Sequence, residues 1–381
     1  MASEEHRRWD LIRETTDALV RTGLRDVGYR YVNLDDCWQK TRAPSGEILP
    51  DKNAFPSGMK ALSDYVHGKD MLFGLYSSAG TKTCARRPGS LSYEEIDAIT
   101  YAKWEVDYLK YDNCYNQRIP SKTRYTKMRD ALNATGRPIL YSICNWGREG
   151  PWIWGPEVGN SWRTTGDIHD RYSVFQNSLT CGRCGMLQIV DSMVNIAKYA
   201  APGGFNDLDM LEVGNGGMTH EEYKTHFSLW AALKSPLLIG CDVRNIDDKT
   251  LSILNNTEII AINQDPLGKS AKLVYRQRRK LWDIWAGELS PNAKGEGQAV
   301  VVIFNRGSIA RDIFLDFALI MPLLPEAPPT SMLLLRELWE KKDLGYFRQS
   351  YTAKAVPMHG VVVLKATLKN RKAKPFTINL Q

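Results

Sequence analysis

The chain has no apolar run long enough to span a bilayer. It has little excess charge either, since +7 over 381 residues is mild. Its basic clusters, Arg276-Gln277-Arg278-Arg279-Lys280 and Lys369-Asn370-Arg371-Lys372-Ala373-Lys374, come without a nucleic-acid motif and read as solvated faces or tails. The first residues, Met1 to Arg8, lack the apolar core of a signal peptide. Cysteine is sparse and odd in number: Cys37, Cys84, Cys114, Cys144, Cys181, Cys184 and Cys241. At least one thiol is therefore unpaired, or its partner lies outside the chain. Cys181-Gly182-Arg183-Cys184 has a metal or redox spacing. No second Cys or His pair accompanies it, which favours a loop disulfide or free thiols over zinc. Two sequons, Asn133-Ala134-Thr135 and Asn255-Asn256-Thr257, would accept glycans in a secreted chain.

What the chain does have is a rhythm. With 43% hydrophobic and 24% charged residues it is an ordinary globular sequence, long enough for two domains or one large barrel with an appendage. A helical period runs from Leu11 to Val20. Strands then recur with helices between them: Tyr29 to Leu34, Met71 to Tyr76, Val106 to Asp112, Pro138 to Ile143, a weaker one at Ser161 to Arg163, one entering Gly203 to Met210, and Pro236 to Gly240. Ser92-Tyr93-Glu94-Glu95 and Thr219-His220-Glu221-Glu222 read as capping boxes, and a single helix is expected from Lys249 to Ile260. Alternating β and α elements imply a parallel sheet. No Gly-rich phosphate loop opens the series, which argues against a dinucleotide fold. Polar residues at the C-terminal ends of successive strands mark a (β/α)8 barrel, although seven units fall one short of closing it.

The stretch Tyr108-Leu109-Lys110-Tyr111-Asp112-Asn113-Cys114 organises the rest. On a strand Tyr108, Lys110 and Asp112 share one face. A Lys and an Asp there are costly to bury unless the charges serve each other, so Lys110 is expected to keep Asp112 ionised and able to act as a nucleophile. An ordinary strand-end ion pair is the bland alternative. After Asn263-Gln264-Asp265-Pro266-Leu267-Gly268 the texture changes to short apolar stretches, Leu281 to Trp285, Ala299 to Phe304, Ile313 to Phe317 and Val361 to Leu364, separated by turn residues. These predict an antiparallel sandwich with a structural role. The division is thus a catalytic barrel over 1–265 and a β-sandwich over 266–381.

Taken in order, the strand ends resemble family 27 glycoside hydrolases, whose best-known members are α-galactosidases. The likeness runs from about Ile12 to Lys365 and rests on Val32 to Trp38, the stretch around Asp112, Asn160 to Ile168, Gly203 to Gly217 and Asn263 to Gly268. It implies a (β/α)8 barrel followed by an antiparallel β-domain. It also implies hydrolysis of terminal α-galactosyl units, with Asp112 as nucleophile and Asp167 as acid/base, and no metal or organic cofactor. A raised pKa on Asp167, from apolar or like-charged neighbours, would suit that role. Asp35 and Asp36 resemble the pair that grips sugar hydroxyls, unless one of them caps a turn. Tyr76, Lys110, Arg163 and Asp209 fall at substrate-contact positions, and Trp38 and Trp146 could stack on sugar or belong to the core. Cys84 and Cys114 resemble a family disulfide beside the nucleophile.

The chain also departs from the family. The usual first strand, ending in a Gly-Trp-Asn-Ser-Trp-like segment, is absent, and with it a stacking Trp and a partner for Cys37. An amino-terminally truncated chain or gene model would account for this, for the seven strands and for the missing signal peptide. Asn145 stands where many animal and plant members have Glu against the sugar 2-hydroxyl; fungal-type members share Cys-Asn-Trp-Gly. Galactose therefore leads over N-acetylgalactosamine, whose acetyl group would need small residues near Trp146 and Gly147. The alternatives are α-N-acetylgalactosaminidase, β-L-arabinopyranosidase, or a sugar-binding protein impaired in turnover. The implied partners are α-galactoside oligosaccharides or glycoconjugates, not nucleic acid or membrane, with a homodimer as an open assembly. The family is secreted, vacuolar or lysosomal, with glycans then expected at Asn133 and Asn255.

Overall fold

The computed structural model describes residues 6–174, 181–279, 281–324 and 331–369. A helix α1 (His6–Arg21) leads into the first strand of a six-stranded parallel sheet. Its strands, in both chain and spatial order, are β1 (Tyr31–Asn33), β2 (Leu72–Ser78), β3 (Tyr108–Asp112), β4 (Leu140–Cys144), β5 (Ser161–Arg163) and β6 (Phe205–Asp207). Helices Gly58–His67, Glu94–Lys103 and Ser121–Ala134 fill the first crossovers. The segment around Ile239 joins through a parallel bridge to Leu211, completing seven staves of a TIM barrel. Among the described residues, the far edge of β1 pairs with no strand. Tyr31 and Asn33 on β1 are exposed as a result, while Val32 between them is buried.

Beyond the helix Thr257–Asn263 the chain builds a second layer. A six-stranded antiparallel sheet has the order β7 (Lys272–Arg276), β8 (Trp282–Leu289), β9 (Gln298–Asn305), β14 (Val361–Lys369), β11 (Met332–Glu337), β12 (Lys342–Phe347). The pair β10 (Arg311–Asp316) and β13 (Ser350–Val356) covers one of its faces. The unbroken run Ala299 to Phe304 then makes sense. Ala299, Val301 and Ile303 enter the sandwich core, whereas Val300, Val302 and Phe304 enter the core shared with the barrel.

Charges tie the two layers as well. Asp191 of the barrel and the fully buried Asp283 of the sandwich both accept from Arg276 and Arg306, at 2.7–2.8 Å. Arg276 is thus part of a half-buried ion network and not of a solvated face; the later part of the second basic cluster lies outside the described residues.

Several local expectations change in detail. The Thr219 capping box forms around Glu222, but the one at Ser92 does not: Ser92 adopts a left-handed backbone (φ 71°), and Tyr93 stands at the N-cap without a side-chain bond. The single helix expected from Lys249 to Ile260 is two, Asp248–Leu254 and Thr257–Asn263. Asn256 divides them because its side chain caps the second through Glu258 N and Ile259 N.

Candidate active site

Parallel register brings the polar strand ends to one rim. Ser78, Asp112 and Cys144 stand side by side across β2, β3 and β4, and Arg163 pairs with Asp207 across β5 and β6. Asp112 is 6% exposed. Its Oδ2 accepts from the Tyr76 hydroxyl at 2.8 Å, and its Oδ1 accepts from Asn113 N at 2.8 Å. Burial pushes its carboxyl above the ordinary value, with the charge of Lys110 and these two donors pulling the other way.

Lys110 serves this carboxylate only through space. Its Nζ donates to Asp35 Oδ2 at 2.7 Å, so Lys110 bonds Asp35 directly and favours the ionised form of Asp112, as expected, by its charge alone. The reason is geometric: Asp35 follows β1 on the open side of the barrel, within reach of the ammonium.

Asp35 and Asp36 divide their labour. Asp35 faces Lys110, while Asp36 binds Cys37 N at 2.6 Å and Ala85 N at 2.8 Å, capping its own turn and tethering the loop that carries Cys84. Cys84 and Cys114 form a disulfide, and Cys84 Sγ lies 3.1 Å from Asp112 Oδ2. The two loops it joins run so close that a Cβ at Gly80 would stand 1.9 Å from Cys114 O. Cys181 and Cys184 form a second disulfide, and Cys37, Cys144 and Cys241 are free.

The opposite side of the rim is built around Arg163, which is 3% exposed. Its Nη2 donates to Asp209 Oδ2 at 2.7 Å and to Asp167 Oδ1 at 3.1 Å, and its Nη1 lies 3.7 Å from the Cys144 sulfur. Burial raises both the Cys144 thiol and the Asp207 carboxyl beside it; Arg163 opposes each shift. Asp209 takes a left-handed backbone (φ 79°), and its Oδ2 also accepts from Ile168 N at 2.8 Å. Asp167 itself is 71% exposed and has an arginine for a neighbour. A like-charged neighbour is there, since Asp209 shares the same Arg163 nitrogen, but among the described residues the apolar surroundings expected of it are not, because the residue projects from a short ladder above the rim (Asp167–Ile168 beside Arg183–Cys184).

Three aromatic and amide positions also resolve. Trp38 is fully buried, donating to Tyr76 O at 2.8 Å and packing edge-on against Tyr101 and Trp104. It is core, and it supports Tyr76 from behind. Trp146 is half-buried with Arg148 over its ring at 5.1 Å. Asn145 is fully buried, its Nδ2 turned to Arg148 O and its Oδ1 without a partner among the described residues. Sequence reasoning passed over Cys144 and Asp207. Their burial around one guanidinium comes from strand register, which no local pattern announces.

One test follows from the Tyr76 bond. Tyr76→Phe removes a donor to the charged form of Asp112, so the carboxyl rises further. The acid limb of kcat/KM is expected to move to higher pH, with a loss of about 10-fold at neutral pH. An unmoved acid limb would show that this bond does not tune Asp112.

Known proteins resemble this chain over both of its domains. Residues 3–265 match the family described as "Alpha galactosidase A", and residues 279–366 match "Alpha galactosidase C-terminal beta sandwich domain". The α-galactosidase of Cyamopsis tetragonoloba is 53% identical over 301 residues, covering 78% of this chain and 69% of that one. The crystal structure of α-galactosidase I from Mortierella vinacea superposes with a TM-score of 0.89 at 43% identity, covering 94% of this chain and 92% of that one. The Saccharomyces cerevisiae enzyme solved with raffinose gives a TM-score of 0.88 at 32% identity, covering 95% and 94%.

Proposed function

The chain belongs to the α-galactosidase A family of glycoside hydrolases, and from that membership we propose a retaining cleavage of terminal α-galactosyl units by Asp112 and Asp167. One observation carries the assignment. A buried carboxylate at a strand end, held by Tyr76 and Asn113, faces the barrel mouth, and a second carboxyl is hinged above the same rim on Arg163.

The chemistry follows from these placements. An Asp112 oxygen attacks the anomeric carbon while the bond to the aglycone oxygen breaks and takes the Asp167 proton. Asp167 then removes a proton from water, the new oxygen bonds to the anomeric carbon, and Asp112 leaves as carboxylate. Neither step calls for a metal or a redox group. A galactoside seated between the two carboxyls would displace water from Asp167, supplying the less polar surroundings that the free enzyme lacks. Asp35, Lys110 and Asp209 are the polar groups suited to sugar hydroxyls. Asp36 supports this set through the Cys84 loop, and Asn145 offers its unpartnered Oδ1 only after a shift toward the mouth.

Raffinose-type oligosaccharides are the substrate class that the yeast relative supports. The bulk of Trp146 and Arg148 at the end of β4 disfavours an acetamido group there. The aryl α-D-galactopyranoside should be turned over about 10- to 200-fold faster than the β-L-arabinopyranoside, which lacks only the hydroxymethyl group. Faster turnover of the latter, or of the N-acetylgalactosaminide, would overturn the specificity. For a secreted chain, the exposed Asn133 at the end of its helix is a better acceptor than the half-buried Asn255. A glycosidase-sensitive mobility shift abolished by Asn133→Gln would verify it.

A further inference from the structure

We propose that His359, contributed by the sandwich, is a positioning residue for the acid/base Asp167; this rests on the assignment of Asp167 made above. Asp167 is mostly exposed, so its place is set less by its own contacts than by the segment it stands on. That segment is tied down residue by residue. Ile168 N donates to Asp209, His169 N donates to Cys184 O at 2.7 Å, and the Asp170 carboxylate accepts from the Tyr223 hydroxyl at 2.8 Å. The last tie is Tyr172, whose ring lies flat on the His359 imidazole with centroids 3.8 Å apart and planes 9° from parallel.

His359 is itself held firmly. Its Nδ1 lies 2.7 Å from Glu222 Oε1, and its carbonyl accepts from Thr225 Oγ1 at 2.6 Å. Glu222 is the capping-box residue of the His220–Ala232 helix, a fixed part of the barrel. The backbone of His359 is left-handed (φ 55°), which turns the imidazole out of the loop before β14. The result is a ring clamped edgewise by the helix cap and presenting its flat face to Tyr172. A general acid must meet the leaving oxygen to within a fraction of an ångström, and a misplacement of about 1 Å costs up to ~10²-fold. A stack at the end of the Asp167 segment is well placed to hold that tolerance.

The test separates positioning from general weakening. Poor leaving groups need the acid, whereas p-nitrophenolate scarcely does. His359→Ala should lower kcat/KM about 10- to 100-fold for raffinose and only about 3-fold or less for p-nitrophenyl α-D-galactopyranoside. His359→Phe keeps a flat ring over Tyr172 and should restore most of the raffinose rate. Tyr172→Leu removes the stack from the other side and should reproduce the discrimination, which keeps the test open even if the alanine variant folds poorly. Equal losses on both substrates, or none, would overturn the proposal. Asp167→Ala serves as the reference. If it fails to discriminate between the substrates, the acid/base assignment falls; if it discriminates and neither stack variant does, only the role of His359 falls.

Discussion

Asp112→Ala is expected to lower kcat on p-nitrophenyl α-D-galactopyranoside by ~10⁴-fold or more, with the fold intact. The side chain sits on a strand between paired neighbours, and its loss removes a carboxylate whose burial already disfavours charge. Stability should therefore hold or rise slightly while turnover vanishes. Azide fits the space the carboxylate leaves and attacks from the same side, so added azide should restore cleavage and yield the β-galactosyl azide. That product, detected by NMR, identifies a missing nucleophile and not a damaged pocket. The α-azide, or rescue without any azide product, would move the nucleophile elsewhere.

Arg163→Met is expected to destabilise the chain by about 3–5 kcal/mol, because it strips the countercharge from buried carboxylates instead of removing the whole network. Arg163 bonds Asp209 at 2.7 Å, and it opposes the burial penalty on Asp207. At about 2–4 °C per kcal/mol for a domain of this size, the melting temperature should fall by roughly 10 °C. The sign of the pH dependence is also set. Without Arg163 the Asp207 carboxyl rises further above its unfolded value, so its ionisation costs stability at high pH. That cost is recovered as pH falls through the raised folded value. The penalty should thus shrink in acid, measured by denaturant titration at several pH values. Arg163→Lys should rescue only part, since an ammonium that meets Asp167 and Asp209 has no second nitrogen to turn toward Cys144 as the guanidinium does. A loss below about 1 kcal/mol would show that water, not Arg163, compensates these acids.

Much of this site is legible in the sequence because barrel strands end where chemistry begins. Asp112 and Arg163 each close a strand, and Tyr76 and Asp209 stand within two residues of a strand end, so reading strand ends in order collects them. The same reading could not see side-chain direction across the barrel. It found the charge that Lys110 lends to Asp112 but not the direct bond that the ammonium makes across the barrel to Asp35. It left Trp38 between sugar and core; packing against Tyr101 and Trp104 decides for core. The capping box at Ser92 failed because a left-handed residue there starts the helix one residue later than the pattern suggests. Tyr172 and His359 carry no local signal at all, being joined only when the sandwich folds back on the barrel.

The two-sided strand β9 has a consequence for anyone wishing to divide or recombine this protein. Val300, Val302 and Phe304 belong to the barrel's core as much as to the sandwich. A barrel expressed alone would carry a wet apolar scar where they had been, and a sandwich expressed alone would carry its mirror image. A graft from a relative will be accepted only if it brings matching residues at every second position of that strand. The seam between the two modules is therefore written in side chains, and a cut in the connecting loop alone does not release it.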